Sequence, residues 1–207
     1  NNDPDLFQKF LEEGIIRYLD PDGSSARFVI TKTPDPTNID LFLETFKSGY
    51  LIVITRNGQD LVESYVSSFR RRFEDAIRGW LRGARWILKV MNDEKFRKSN
   101  RVIFIKYEDL FLHNSETMSQ VMDFLQLDKS KYDFEKAKNM DVIGSSTFKR
   151  KEVIVDWTPV PKDDTFNPLN RFKHWNRFQH YRFNWLAGKY SKELGYPLYH
   201  ESYGPLY

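Results

Sequence analysis

The chain has 207 residues, 40% hydrophobic and 16% aromatic, with a formal net charge of +3. That suffices for one α/β domain over residues 1–207 and is short for two full domains. So mild a charge argues against nucleic acid as a partner, and the absence of cysteine excludes a disulfide framework, a cysteine nucleophile and a cysteine-based zinc site. No apolar run approaches the ~20 residues of a membrane span. Asn1-Asn2-Asp3-Pro4 does not resemble a signal peptide. A chain without cysteine fits a reducing compartment, so a cytoplasmic location is the expectation.

Leu6, Phe7, Phe10 and Leu11 space a short amphipathic helix within Asp5–Tyr18, ending near Gly14 or soon after. Asp20–Ser25 carries turn chemistry. Arg27–Thr31, RFVIT, reads as a short strand, with Lys32-Thr33-Pro34 leaving its carboxyl end. Pro36-Thr37-Asn38 then opens a helix with Ile39, Phe42, Leu43 and Phe46 on one face. Tyr50–Thr55 is an apolar, β-branched-rich run of the kind a buried parallel strand requires. The elbow Arg56-Asn57-Gly58-Gln59 leads into a helix, with Asp60 as expected N-cap and Glu63 three residues on. Phe73, Ala76, Ile77, Trp80, Leu81, Ala84 and Leu88 space a longer helix. Arg101–Tyr107, RVIFIKY, is a third strand, and Asn114–Leu125 a helix. From Asp128 to Arg171 the pattern weakens into a long ordered loop or lid. Trp175–Leu194 returns to helix, and Gly195 stops it.

Strands alternating with helices predict an α/β fold: a parallel sheet flanked by helices on both faces, with a C-terminal lid and helix. Such sheets bind ligands outside the carboxyl ends of their strands. Three predicted strand ends carry Lys32, Arg56 and Tyr107, and Ser64 lies eight residues after Arg56. A cation, a hydroxyl and the N–H groups of a helix N-terminus together suit a phosphate. Taken singly, each has an ordinary reading as surface or core; taken jointly, they favour an anion site.

These residues resemble the sulfotransferases that use 3′-phosphoadenosine 5′-phosphosulfate (PAPS). Arg56 and Ser64 in TRNGQDLVES are similar to that family's 3′-phosphate site. RVIFIKYEDLFLHNSETMSQVMDFLQLD resembles its strand ending in Tyr-Glu-Asp-Leu, where Tyr107 matches the tyrosine near the adenine. Phe148-Lys149-Arg150-Lys151, with Asp156-Trp157, is similar to the loop that closes over the 3′-phosphate, Glu152 standing where the family has glycine. Ser145, Ser146 and FNPLNRFKHW resemble bacterial members, and Ile30–Pro34 the Lys-Thr-Pro element of the bacterial and tyrosylprotein branches. The resemblance covers Arg27–Tyr196. It implies a P-loop-like sheet, PAPS as donor with no metal, and transfer to a hydroxyl or amine. In it Lys32 is catalytic, facing the transferred group. Arg56, Ser64, Tyr107, Ser146, Arg150 and Lys151 bind the nucleotide.

The family's 5′-phosphosulfate loop, a Gly/Arg/Ser/Gly/Thr-Thr turn, is absent from the 207 residues. The expectation is that it precedes Asp5, or lies in another segment outside these residues, in a longer chain. A non-catalytic nucleotide- or partner-binding remnant and a small-molecule kinase are the alternatives. The kinase would need the Gly-x-x-x-x-Gly-Lys-Ser/Thr pattern, which is missing. The acceptor class (small molecule, glycan or peptide), the general base and the oligomeric state are left open. The scattered His113, His174, His180 and His200 do not single out a base. Arg70-Arg71-Arg72 with Arg78, Arg82 and Arg85 reads first as a solvated helix face.

Overall fold

A computed structural model describes residues 4–23, 28–141, 145–149, 152–156 and 167–199, with the backbone alone for residue 4 and for 145–149 and 152–156. In chain order the elements are α1 (Pro4–Leu19), α2 (Ile39–Thr45), β1 (Leu51–Thr55), α3 (Gly58–Phe69), α4 (Phe73–Asn92) and α5 (Glu94–Lys98). Then come β2 (Val102–Lys106), α6 (Tyr107–Leu112), α7 (Asn114–Phe124), a 3-10 turn (Lys129–Lys131) and α8 (Phe134–Lys138). The strands β3 (Ser145–Lys149) and β4 (Glu152–Asp156), a second 3-10 turn (Arg171–His174) and α9 (Arg177–Glu193) complete the order.

The fold is mixed α/β, a small parallel sheet flanked by helices. Strand β1 pairs with β2 in parallel, from Leu51 opposite Val102 to Thr55 opposite Lys106, so the crossover runs through α3, α4 and α5. Period-2 alternation puts Val53 and Thr55 into the core and leaves Ile52 and Ile54 more open on the other face. The core gathers behind the buried face. Val62 of α3, Ile77, Trp80 and Ala84 of α4 and Phe183 and Ala187 of α9 are buried together. At Gly58 these layers approach closely. A Cβ there would stand 2.7 Å from Phe183 Cζ and 2.7 Å from Trp80 Cε2, so only glycine lets α3 start against those rings.

Three expectations are corrected. Residues 28–31 form no strand; Ile30 is 87% exposed, and among the described residues no neighbour supplies a ladder to it. Phe28 instead meets Tyr50 edge-on, ring centroids 6.4 Å apart. The stretch read as a lid contains α8 and an antiparallel hairpin, with Ser145 opposite Asp156 and Lys149 opposite Glu152. Helix α1 runs through Gly14 to Leu19, and Phe7 and Phe10 of its apolar stripe face solvent. The arginine run does lie outward: Arg70, Arg71, Arg72, Arg78, Arg82 and Arg85 are all exposed.

Arg101 ties α2 to the sheet. Its guanidinium donates to the carbonyls of Leu43 at 2.9 Å, Phe46 at 2.7 Å and Gly49 at 3.2 Å, which include acceptors the end of α2 leaves unsatisfied. Arg101→Ala is therefore expected to lower unfolding stability by about 1.5–3 kcal/mol, read by urea denaturation. Arg101→Lys should recover little of it, because one ammonium cannot span three carbonyls.

Candidate functional site

The parallel register determines what meets at the carboxyl edge of the sheet. Thr55 lies opposite Lys106, so the next residues, Arg56 and Tyr107, leave adjacent strands side by side. The Arg56 guanidinium lies over the Tyr107 ring, 4.5 Å from its centroid, a cation–π arrangement. Its Nη2 donates to the Pro168 carbonyl at 2.7 Å. Its Nε is buried with no hydrogen-bond partner among the described residues. A buried, unsatisfied charged donor is costly, and at a sheet edge it offers itself to an incoming anion.

Two carboxylates that the sequence did not single out in these roles hold this corner. Glu108 accepts the Asn57 backbone N–H at 2.8 Å through Oε1 and the Tyr196 hydroxyl at 3.2 Å through Oε2. The Tyr196 hydroxyl also meets Thr55 Oγ1 at 2.9 Å. Lys106 donates to the Gly195 carbonyl at 2.9 Å, so the chain after α9 is fastened across both strand ends. Burial pushes the Tyr196 hydroxyl well above the ordinary tyrosine range and raises that of Tyr107.

The second carboxylate corrects the reading of α3. The N-cap is Asn57, whose side chain accepts the N–H of Gln59 at 2.9 Å and of Asp60 at 3.4 Å. Asp60 is the third residue of the helix and is 3% exposed. It accepts the backbone N–H of Asn170 at 3.1 Å and of Arg171 at 2.6 Å. Burial raises its pKa above the ordinary carboxylate range, while those N–H groups and Arg56 pull it back. Glu63, a turn on, accepts from Trp175 Nε1 at 2.8 Å and stands 3.4 Å from His174 Nε2. Further along, Ser67 accepts from Arg171 Nη2 at 3.1 Å.

The remaining predicted residues are placed less centrally. Ser64 is half-buried on α3, about 9 Å along the axis from Gly58. Lys32 is exposed on the irregular segment after Phe28, with no described contact to Arg56, Ser64 or Tyr107. Ser146 lies in β3, which runs against α3. Arg150 and Lys151 lie outside the described residues. Of the histidines, His180 is buried, its Nδ1 at 3.1 Å from Gln59 Nε2 and its ring stacked on Tyr199 at 4.7 Å, a core role. Among the described residues no cluster of His, Asp and Glu could hold a metal ion, and no helix is long and apolar enough to cross a membrane.

Comparison with known proteins gives this geometry a family. The sequence model described as "Sulfotransferase family" matches residues 1–131, more than half the chain, including β1, the Arg56 elbow, α3, β2 and Tyr107. Among solved structures the chain is similar to the "Sulfotransferase Domain from the Curacin Biosynthetic Pathway". The TM-score is 0.56 at 17% identity, covering 92% of this chain and 68% of that one, a likeness of fold. No curated protein sequence matches. With the family's sequence pattern running through the strand ends that carry Arg56 and Tyr107, this chain belongs to the sulfotransferase family.

Proposed function

We propose that this protein moves the sulfuryl group of PAPS, its donor substrate, to a hydroxyl or amine of a small-molecule, glycan or peptide acceptor. The observation that carries the reading is the corner at the carboxyl edge of β1 and β2. There a buried Arg56 Nε without a hydrogen-bond partner among the described residues sits beside an aromatic ring, in a chain of this family. A guanidinium fork matches a phosphate dianion, and the Tyr107 ring provides a flat apolar surface suited to an adenine. In this reading Arg56, Ser64, Arg150 and Lys151 hold the 3′-phosphate, and Ser146 belongs to the same nucleotide site.

The reaction is an in-line displacement. The acceptor oxygen forms a bond to sulfur as the bond from sulfur to the 5′-phosphate oxygen breaks. The acceptor proton leaves to a base, and 3′-phosphoadenosine 5′-phosphate is released. Such transfers depend on positioning and charge stabilisation. The proposed role of Lys32 is to neutralise charge on the departing bridging oxygen. The Ile30–Pro34 element is the ground for proposing a bacterial or tyrosylprotein-like subtype, within a single domain and without a metal.

The test is calorimetric titration, without metal, of the protein as its gene encodes it. The ligands are 3′-phosphoadenosine 5′-phosphate and adenosine 5′-phosphate, which lacks only the 3′-phosphate. The 3′-phosphorylated nucleotide should bind at least about tenfold more tightly, the yield of one charge-assisted phosphate clamp. Equal affinity for the two, or no binding of either, would overturn the reading.

A further inference from the structure

The segment Pro168–Arg171 crosses α3 as a strap and has no covalent reason to lie there. Three side chains of α3, Asp60, Glu63 and Ser67, receive donors from the strap and the turn that follows it. Their spacing of three and seven residues puts them on one face of the helix. Asn170 adopts a left-handed backbone conformation, φ 57°. That turn aims two successive N–H groups at the single carboxylate of Asp60. Two residues upstream, the buried Pro168 presents its carbonyl to Arg56 Nη2.

We propose that Asp60 is a positioning residue for Arg56, acting through the Pro168–Arg171 strap. The inference rests on the reading of Arg56 as the 3′-phosphate clamp. A guanidinium is a planar fork of five donors. Once one Nη is bound to a fixed carbonyl and one face lies on the Tyr107 ring, the direction of the remaining donors is determined, Nε included. Freed from the strap, the same long side chain samples many rotamers, and a phosphate must order it on binding. Asp60 is buried and carries its bonds to backbone N–H groups, so the charge it places near an anion site serves geometry. Were its influence simple repulsion, removing it would tighten phosphate binding. Positioning requires the opposite.

The experiment titrates the full-length native protein, Asp60→Ala and Asp60→Asn with 3′-phosphoadenosine 5′-phosphate and with adenosine 5′-phosphate. Each substitution is repeated in the Arg56→Ala background. Asp60→Ala should reduce the preference for the 3′-phosphorylated nucleotide about tenfold while changing affinity for adenosine 5′-phosphate less than about twofold. Asp60→Asn keeps the size and one acceptor oxygen, so it guards against a variant that fails to fold and should give an intermediate loss. In the Arg56→Ala background both substitutions should have almost no further effect on the nucleotide preference. A preference retained in a folded Asp60 variant, or losses that add to that of Arg56→Ala, overturn the positioning role alone. An Arg56→Ala protein that keeps its preference overturns the clamp reading and this inference with it.

Discussion

Replacing Phe183 by alanine is expected to lower unfolding stability by about 3–5 kcal/mol. The ring is fully buried at the meeting of three helices. It lies 5.7 Å from the Trp80 ring and 5.9 Å from the Trp175 ring, centroid to centroid. It also fills the space beneath Gly58, where even a Cβ would approach to 2.7 Å. Truncation therefore removes apolar burial and leaves a cavity walled by indole rings and by the start of α3, elements too large and too constrained to collapse into it. Phe183→Leu, which keeps most of the volume, should retain most of the stability. Chemical denaturation reads the difference. A loss below about 1 kcal/mol for Phe183→Ala would mean that the site repacks, and that α3 is not seated on this ring.

Arg56→Ala carries the largest expected effect on function. It should weaken binding of 3′-phosphoadenosine 5′-phosphate by about 1.5–3 kcal/mol, which is roughly 10- to 150-fold. Affinity for adenosine 5′-phosphate should stay close to native. The separation between the two nucleotides is the informative quantity, because a general loosening of the sheet edge would lower both. Arg56→Lys should fall between native and alanine. It restores a positive charge but neither the fork that places Nη2 on the Pro168 carbonyl nor the planar contact with Tyr107. An alanine variant that binds the 3′-phosphorylated nucleotide as tightly as the native protein would remove Arg56 from the phosphate site. Since the substitution also frees the Pro168 carbonyl, its effect on stability should be measured alongside.

How much of this was legible in advance depends on how far each feature reaches along the chain. The strand–turn–helix of residues 50–69 was readable because its signals are local: a β-branched run, a glycine elbow and a helical apolar spacing. Helices α4 and α9 were readable for the same reason, since their periodicity is written within the span of the helix itself. Arg56 and Tyr107 could be placed at strand ends from those runs, and membership of the sulfotransferase family follows from the pattern over residues 1–131. The expected strand at residues 28–31 misled because an apolar run says only that a strand is possible. A strand also needs a ladder partner, and among the described residues none pairs with it.

What the sequence by itself determined, then, is the kind of elements, their order and the chemistry that leaves their ends. Only the tertiary structure decided that Arg56 and Tyr107 are neighbours, because parallel register is a relation between segments 51 residues apart. It alone made Asp60 a strap anchor, not a helix cap. The choice between those roles turns on the N–H groups of Asn170 and Arg171, 110 and 111 residues further along. Capping propensity weighs what a side chain can do for its own helix. A buried carboxylate takes whichever donors burial leaves without water, and that accounting closes only when the chain has folded.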